Sequence, residues 1–237
     1  MKALKYLQAI LALPALALLL GAGSANALTL SFGNISANNV GDAAIGEAQL
    51  SVDVTDFGGG QVLFTFNNAG PEASSIADVY FDDGTLLGIA ALIDADEGGG
   101  DAGVDFSQLA TPGNLPAANN ASPPFETTAG FSADADPPVQ PKGVNPGESL
   151  GVIFDLLAGV SFADTLAALD QGGGVGGLRI GIHVQGFASG GSESFVNNPP
   201  DGGEEPPSAV PEPGVLSLVG FSLLGMLAVR RRYAFKA

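Results

Sequence analysis

Leu178-Arg179-Ile180-Gly181-Ile182-His183-Val184-Gln185-Gly186-Phe187 puts Leu178, Ile180, Ile182 and Val184 on one side of an extended chain and Arg179, His183 and Gln185 on the other. Successive side chains of a strand point to opposite faces, so this period of two predicts a strand with one face on a core. Leu50-Ser51-Val52-Asp53-Val54-Thr55 alternates in the same way. After Gly58-Gly59-Gly60 a further strand is predicted over Gln61 to Phe66, with Val62, Phe64 and Phe66 on one face. Asn67-Asn68-Ala69-Gly70-Pro71 reads as a turn. Ile76 to Phe81 and Leu86 to Ile93 predict a hairpin around Asp82-Asp83-Gly84-Thr85, because Asp-Gly favours tight turns. Leu150 to Leu156 supplies another strand.

One helix is predicted. Ser161 is placed to cap it, Asp164 follows three residues later as in a capping box, and Phe162, Leu166 and Leu169 share a face before Gly172 to Gly174 ends it. Strands at short intervals with Gly- and Pro-rich turns predict a mainly β fold, an antiparallel β-sandwich or jelly-roll-like ectodomain over residues 28–196 with that one short helix. From Gly98 to Gly147 the apolar anchors are few, chiefly Phe106, Phe125 and Phe131. Long loops covering one end of the sandwich are expected there.

Composition narrows the class. Of 237 residues 46% are hydrophobic, enough to build a core, while Gly 35 and Pro 16 favour turns over long helices. The absence of Cys excludes disulfides, thiolate metal sites and cysteine nucleophiles. The formal charge of −17 is unevenly spread. Between residues 28 and 209 lie only two cations, Lys142 and Arg179, against all of the 25 acidic residues except Glu212, a net of −22. Phosphate recognition needs clustered Lys and Arg, so nucleic acid is excluded as a partner. Such a body attracts cations instead.

The two ends read as transit signals. Lys2 and Lys5, the apolar stretch from Tyr6 to Gly23, and Ala25-Asn26-Ala27 form a secretory signal peptide over residues 1–27, with signal peptidase and the Sec machinery as partners and Leu28 as the first mature residue. A retained N-terminal membrane helix is the alternative. At the other end Val210-Pro211-Glu212-Pro213 is rigid and extended, because each proline fixes φ and biases its predecessor away from helix. Gly214 to Val229 follows without a charge, and Arg230-Arg231-Arg232 closes it. As a helix this run spans about 24 Å at 1.5 Å per residue, short of a hydrocarbon core of about 30 Å unless Arg230 snorkels and the bilayer thins. The arginines are expected to stay cytoplasmic, leaving residues 28–213 outside the inner membrane. Residues 197–209, rich in Pro, Gly and Glu, read as a solvated linker.

Val210 to Arg232 resembles the PEP-CTERM family of sorting signals, with Pro211-Glu212-Pro213, a short apolar helix and arginines in that order over residues 210–237. The resemblance implies recognition and cleavage near Pro211-Glu212-Pro213 by an exosortase, a membrane-embedded transpeptidase-like enzyme of Gram-negative bacteria that make extracellular polysaccharide. An ordinary tail anchor is the alternative. The body is similar to a recurrent PEP-CTERM ectodomain type through Val79-Tyr80-Phe81-Asp82-Asp83-Gly84, Phe131-Ser132-Ala133-Asp134, Gly143-Val144-Asn145-Pro146-Gly147-Glu148 and Arg179 to Phe187. That likeness supplies class and export but no active site.

Candidate chemistry in the body is sparse. His183 is the one histidine, and the nearby Ser189, Ser192 and Ser194 lack a Gly-x-Ser-x-Gly setting. A polar residue on a solvent-facing strand side is therefore the expectation for His183, and no enzyme activity is expected. There is no Trp, and Tyr80 is the only tyrosine between the two transit signals, which weakens glycosidase and lectin readings that rest on aromatic platforms. Asp94-Ala95-Asp96-Glu97-Gly98-Gly99-Gly100-Asp101-Ala102-Gly103-Val104-Asp105 partly echoes an EF-hand loop, with acids at positions 1, 3, 8 and 12, so Asp94, Asp96, Asp101 and Asp105 are candidate Ca²⁺ ligands. The resemblance to PEP-CTERM proteins thus implies a cell-surface or extracellular-matrix protein with a structural or interaction role linked to extracellular polysaccharide. A Ca²⁺-dependent lectin-like module is the alternative, and a secreted hydrolase the third.

Overall fold

The computed structural model describes residues 27–83, 86–95 and 100–198. The signal peptide before Ala27, Asp96, the linker beyond Asn198 and the sorting segment with Pro211, Glu212, Pro213 and Arg230 to Arg232 lie outside the described residues. Ten antiparallel strands make one continuous sheet in the order β5-β8-β3-β2-β1-β10-β9-β4-β7-β6. They are β1 (Ala27–Asn34), β2 (Leu50–Gly58), β3 (Gln61–Asn68), β4 (Ser75–Asp83), β5 (Leu86–Ile93), β6 (Phe106–Gln108), β7 (Ser132–Ala135), β8 (Ser149–Leu156), β9 (Leu178–Gln185) and β10 (Glu193–Asn197). The sheet folds over at β1, whose first part pairs with β2 (Leu30↔Val52) and whose last part pairs with β10 (Phe32↔Asn197). Its far edges, β5 and β6, approach each other, so the sheet nearly closes like a barrel.

The fold-over brings the two inner faces together. Phe81 of β4 meets Phe64 of β3 at 5.0 Å and Phe154 of β8 at 4.6 Å between ring centroids, both edge-to-face, and Phe131 joins Phe154 at 5.2 Å. The period-two alternation puts these rings there: Val62, Phe64 and Phe66 from β3 and Ile180, Ile182 and Val184 from β9 are all fully buried. The edge-to-face geometry sets the positive rim of one ring against the negative face of the next.

The structure corrects three expectations. Ile76 to Phe81 and Leu86 to Ile93 do not form a hairpin: β4 pairs with β9 and β7, so both its edges are taken, and β5 crosses to the opposite half of the sheet to pair with β8. The predicted helix, α3 (Phe162–Gln171), carries the reciprocal capping box of Ser161 and Asp164, but it is not alone. A second ten-residue helix, α1 (Val40–Gln49), is capped by Asn39, whose side chain accepts from the backbone of Gly41 and Asp42. A short helical turn, α2, spans Val139–Lys142. In α1, Gly46 lies against the Phe195 ring, where a Cβ would come within 2.2 Å of Cζ, so glycine sets the approach of helix to sheet. Among the described residues no helix is long and apolar enough to cross a membrane.

The third correction concerns the stretch with few apolar anchors. It contains β6, β7 and α2, and residues 109–130 lie over the outer face of β9, β4 and β10 rather than over one end. Leu115, Ala118 and Phe125 pack there against Tyr80 and Val196 as a second, smaller core. Gly181 makes this possible: a Cβ on it would lie 2.7 Å from Leu115 Cδ2 and 3.1 Å from Phe125 Cζ.

Candidate binding face and cleft

The acidic loop is tied to its surroundings carboxylate by carboxylate. Asp94, buried, accepts from the Phe106 amide at 2.9 Å. Asp101 accepts from the Ser149 amide at 2.7 Å and from its hydroxyl at 3.1 Å, and Asp105 forms an ion pair with Lys142. The three reach β6, β8 and α2 separately, and among the described residues no three Asp, Glu or His side chains are arranged to hold a metal ion. At the other predicted boundary, Ala27 and Leu28 begin β1 opposite Thr55 and Val54. Asn197, expected to open the linker, is the last residue of β10.

His183 does not face solvent. It lies between Ser194 of β10 and Asp78 of β4 in register, largely buried, and its Nδ1 is 2.8 Å from Asp78 Oδ2. Asp78 is itself opposite Asp134 of β7. Burial, reinforced by the Asp78 and Asp136 charges, pushes the Asp134 carboxyl above its ordinary value against a hydrogen bond from the Thr111 amide. Burial and the same two aspartates, Asp78 and Asp134, push the Tyr80 phenol far up, so it stays protonated and donates to the Pro112 carbonyl at 3.1 Å. Among the serines weighed for a triad, Ser189 donates to Asp42 at 2.5 Å, and the Ser194 amide donates to Ser36 at 2.8 Å. The Tyr80 hydroxyl at Pro112 and the Asp134 carboxylate at Thr111 pin the cover to the sheet.

Arg179 fastens the other end of that cover. Its guanidinium pairs with Asp82, donates to the carbonyls of Pro123 at 2.6 Å and Pro124 at 2.7 Å, and sits 5.2 Å from the Phe125 ring centroid. The planar fork of arginine suits several acceptors at once.

Glu193, at the start of β10, is buried and gathers the turn after β1. Its carboxylate accepts from the Asn34 side chain at 3.0 Å, from Ser36, and from the amides of Asn38 at 3.2 Å and Asn39 at 2.5 Å. Burial pushes this carboxyl up, but these donors, led by Ser36 and Asn34, outweigh it and hold the group below its ordinary value. A lowered folded value means that the stabilisation is complete above the unfolded pKa of about 4.3 and is lost as pH falls through the folded value. Glu193→Gln is expected to cost about 2 kcal/mol at pH 7, since a buried charged acceptor and its geometry are lost. Denaturant unfolding at pH 7 and pH 3 checks this: the gap between the two proteins should narrow at the lower pH.

Beside this knot a cleft of about 470 Å³ opens between three segments. Gly33 to Ile35 at the end of β1 and just past it, with Val196 to Asn198, make its floor, Asn120 to Pro123 one wall, and Gln171 to Gly173, where α3 ends, the other. Arg179 also lines it. Gly173 lets the walls meet, since a Cβ there would lie 2.8 Å from the Pro123 ring. Amides dominate the lining, and each of three is anchored through its NH₂ group: Asn120 to the Ile35 carbonyl at 3.0 Å, Gln171 to the Val175 carbonyl at 2.8 Å, and Asn198 to the Ser31 hydroxyl at 3.0 Å. Sequence reading passed over these residues because isolated Asn and Gln beside Gly and Pro carry the signature of turns. No family profile, curated protein or solved structure matches this chain.

Proposed function

We propose that this chain is exported and sorted by an exosortase to the surface or extracellular matrix of a Gram-negative bacterium, and that its jelly-roll-like body has a structural or interaction role linked to extracellular polysaccharide there. The observation that carries this reading is Pro211-Glu212-Pro213 followed at once by the uncharged run Gly214 to Val229 and then Arg230-Arg231-Arg232. The prolines keep the cleavable segment extended, while the helix and its arginines fix its depth at the membrane face. Calcium dependence rests on the acidic loop alone, and its described carboxylates already hold Phe106, Ser149 and Lys142.

The intact mass of the native protein, from strains with and without the exosortase, tests the proposal. The expected mature chain starts at Leu28 and ends near Pro211 to Pro213 only when the enzyme is present. A chain that keeps Gly214 to Ala237 in both strains would reduce the tail to a membrane anchor and overturn the sorting route.

A further inference from the structure

We propose that the cleft between β1, the 120–123 segment and the end of α3 binds an uncharged, polyhydroxylated ligand, a segment of neutral polysaccharide. Its volume of about 470 Å³ falls within the range of small-molecule sites, roughly 300–1,000 Å³. Asn120, Gln171 and Asn198 are each held by a hydrogen bond from their NH₂ group, and among the described residues no donor reaches Asn120 Oδ1, Gln171 Oε1 or Asn198 Oδ1. Three residues of the lining therefore have an anchored amide whose carbonyl oxygen is open to a donor. A ligand rich in hydroxyl donors satisfies them without ordering flexible side chains, which lowers the entropic cost of binding. Gly33 preserves one of the three: a Cβ there would sit 2.8 Å from Asn198 Oδ1. Ile35 and Val196 offer an apolar surface to the C–H face of a sugar ring.

Charge selects among sugars. The body carries −22 between residues 28 and 209, yet among the described residues no Asp or Glu lines this cleft. Among the described residues the only cation there is Arg179, whose guanidinium is engaged by Asp82 and the carbonyls of Pro123 and Pro124. A uronate or a phosphorylated glycan would meet a repulsive body and no available counter-charge. A neutral glycan meets neither obstacle.

This inference deepens the proposed surface role, and the two fail separately, because the mass measurement reads the chain ends and binding reads the cleft. The test titrates the purified mature protein with cello-, malto-, laminari- and chitohexaose and with oligogalacturonate of the same length, followed by calorimetry. At least one neutral hexamer is expected to bind, with oligogalacturonate at least tenfold weaker. Gln171→Ala and Asn120→Ala are each expected to weaken binding about tenfold, the loss of one good hydrogen bond. Gln171 is exposed at the end of α3, so its replacement should leave the thermal midpoint in place and separate loss of binding from loss of fold. The proposal is overturned if no neutral hexamer binds, if oligogalacturonate binds as well, or if both variants bind like the wild type.

Discussion

Phe81→Ala is expected to lower the unfolding free energy by about 4 kcal/mol, among the larger effects a single core truncation produces. The Phe81 ring is fully buried and touches Phe64, Phe66 and Phe154, all from the opposite half of the folded-over sheet. Its removal leaves a void that rigid strand backbones on both sides cannot collapse to fill, so a cavity cost adds to the lost transfer energy. Phe81→Leu keeps most of the volume and should lose about half as much. For a body of this size, urea unfolding should be accompanied by a drop of roughly 10 °C in the thermal midpoint. A loss below about 1 kcal/mol would mean that the halves do not depend on this ring cluster for cohesion.

Arg179→Ala is the second large effect, expected at about 3 kcal/mol. The substitution leaves Asp82 without its cation and the carbonyls of Pro123 and Pro124 without donors. It also removes the guanidinium beside Phe125. Because the damage centres on the cover, hydrogen exchange should quicken first at the Phe125 amide, which donates to Ala118, and at the Thr128 amide, which donates to Phe81. Arg179→Lys retains the charge but not the fork, and should recover only part of the loss. Unchanged exchange over 109–130 in the alanine variant would show that the second apolar cluster holds the cover by itself.

Much of the strand pattern was legible in the sequence because alternation is a local property. β2, β3, β8 and β9 and the capped helix α3 fall where their residues place them. What alternation does not encode is the partner. The Asp82-Asp83-Gly84-Thr85 sequence has the composition of a tight turn, yet the strands before and after it belong to different halves. α1 was hidden by Gly41 and Gly46, which weaken helix propensity; Gly46 is there because the Phe195 ring needs the space. The reading of β9 was half right. Leu178, Ile180, Ile182 and Val184 do face the main core, but Arg179 and His183 are also covered, each with its own aspartate. A polar side chain on a strand marks the face away from the larger core, and a paired one is tolerated under a second layer. The cleft was the least legible part, because its walls come from segments distant in sequence and its amides resemble turn residues one by one.

The pairing of Phe32 with Asn197 makes the first strand of the body a neighbour of its last. Strands so far apart in the chain meet only after a long loop has closed, a slow, late step in folding. In a chain threaded through a translocation channel N-terminus first, β1 would emerge early and wait, unable to join the two halves while β10 was still inside. Such a chain could build the half made of β1, β2, β3, β5 and β8 first, since all five precede residue 157, and would close the seam only once β10 was out. Completion of the seam would then mark arrival, and from that moment the body would be too wide to slip back.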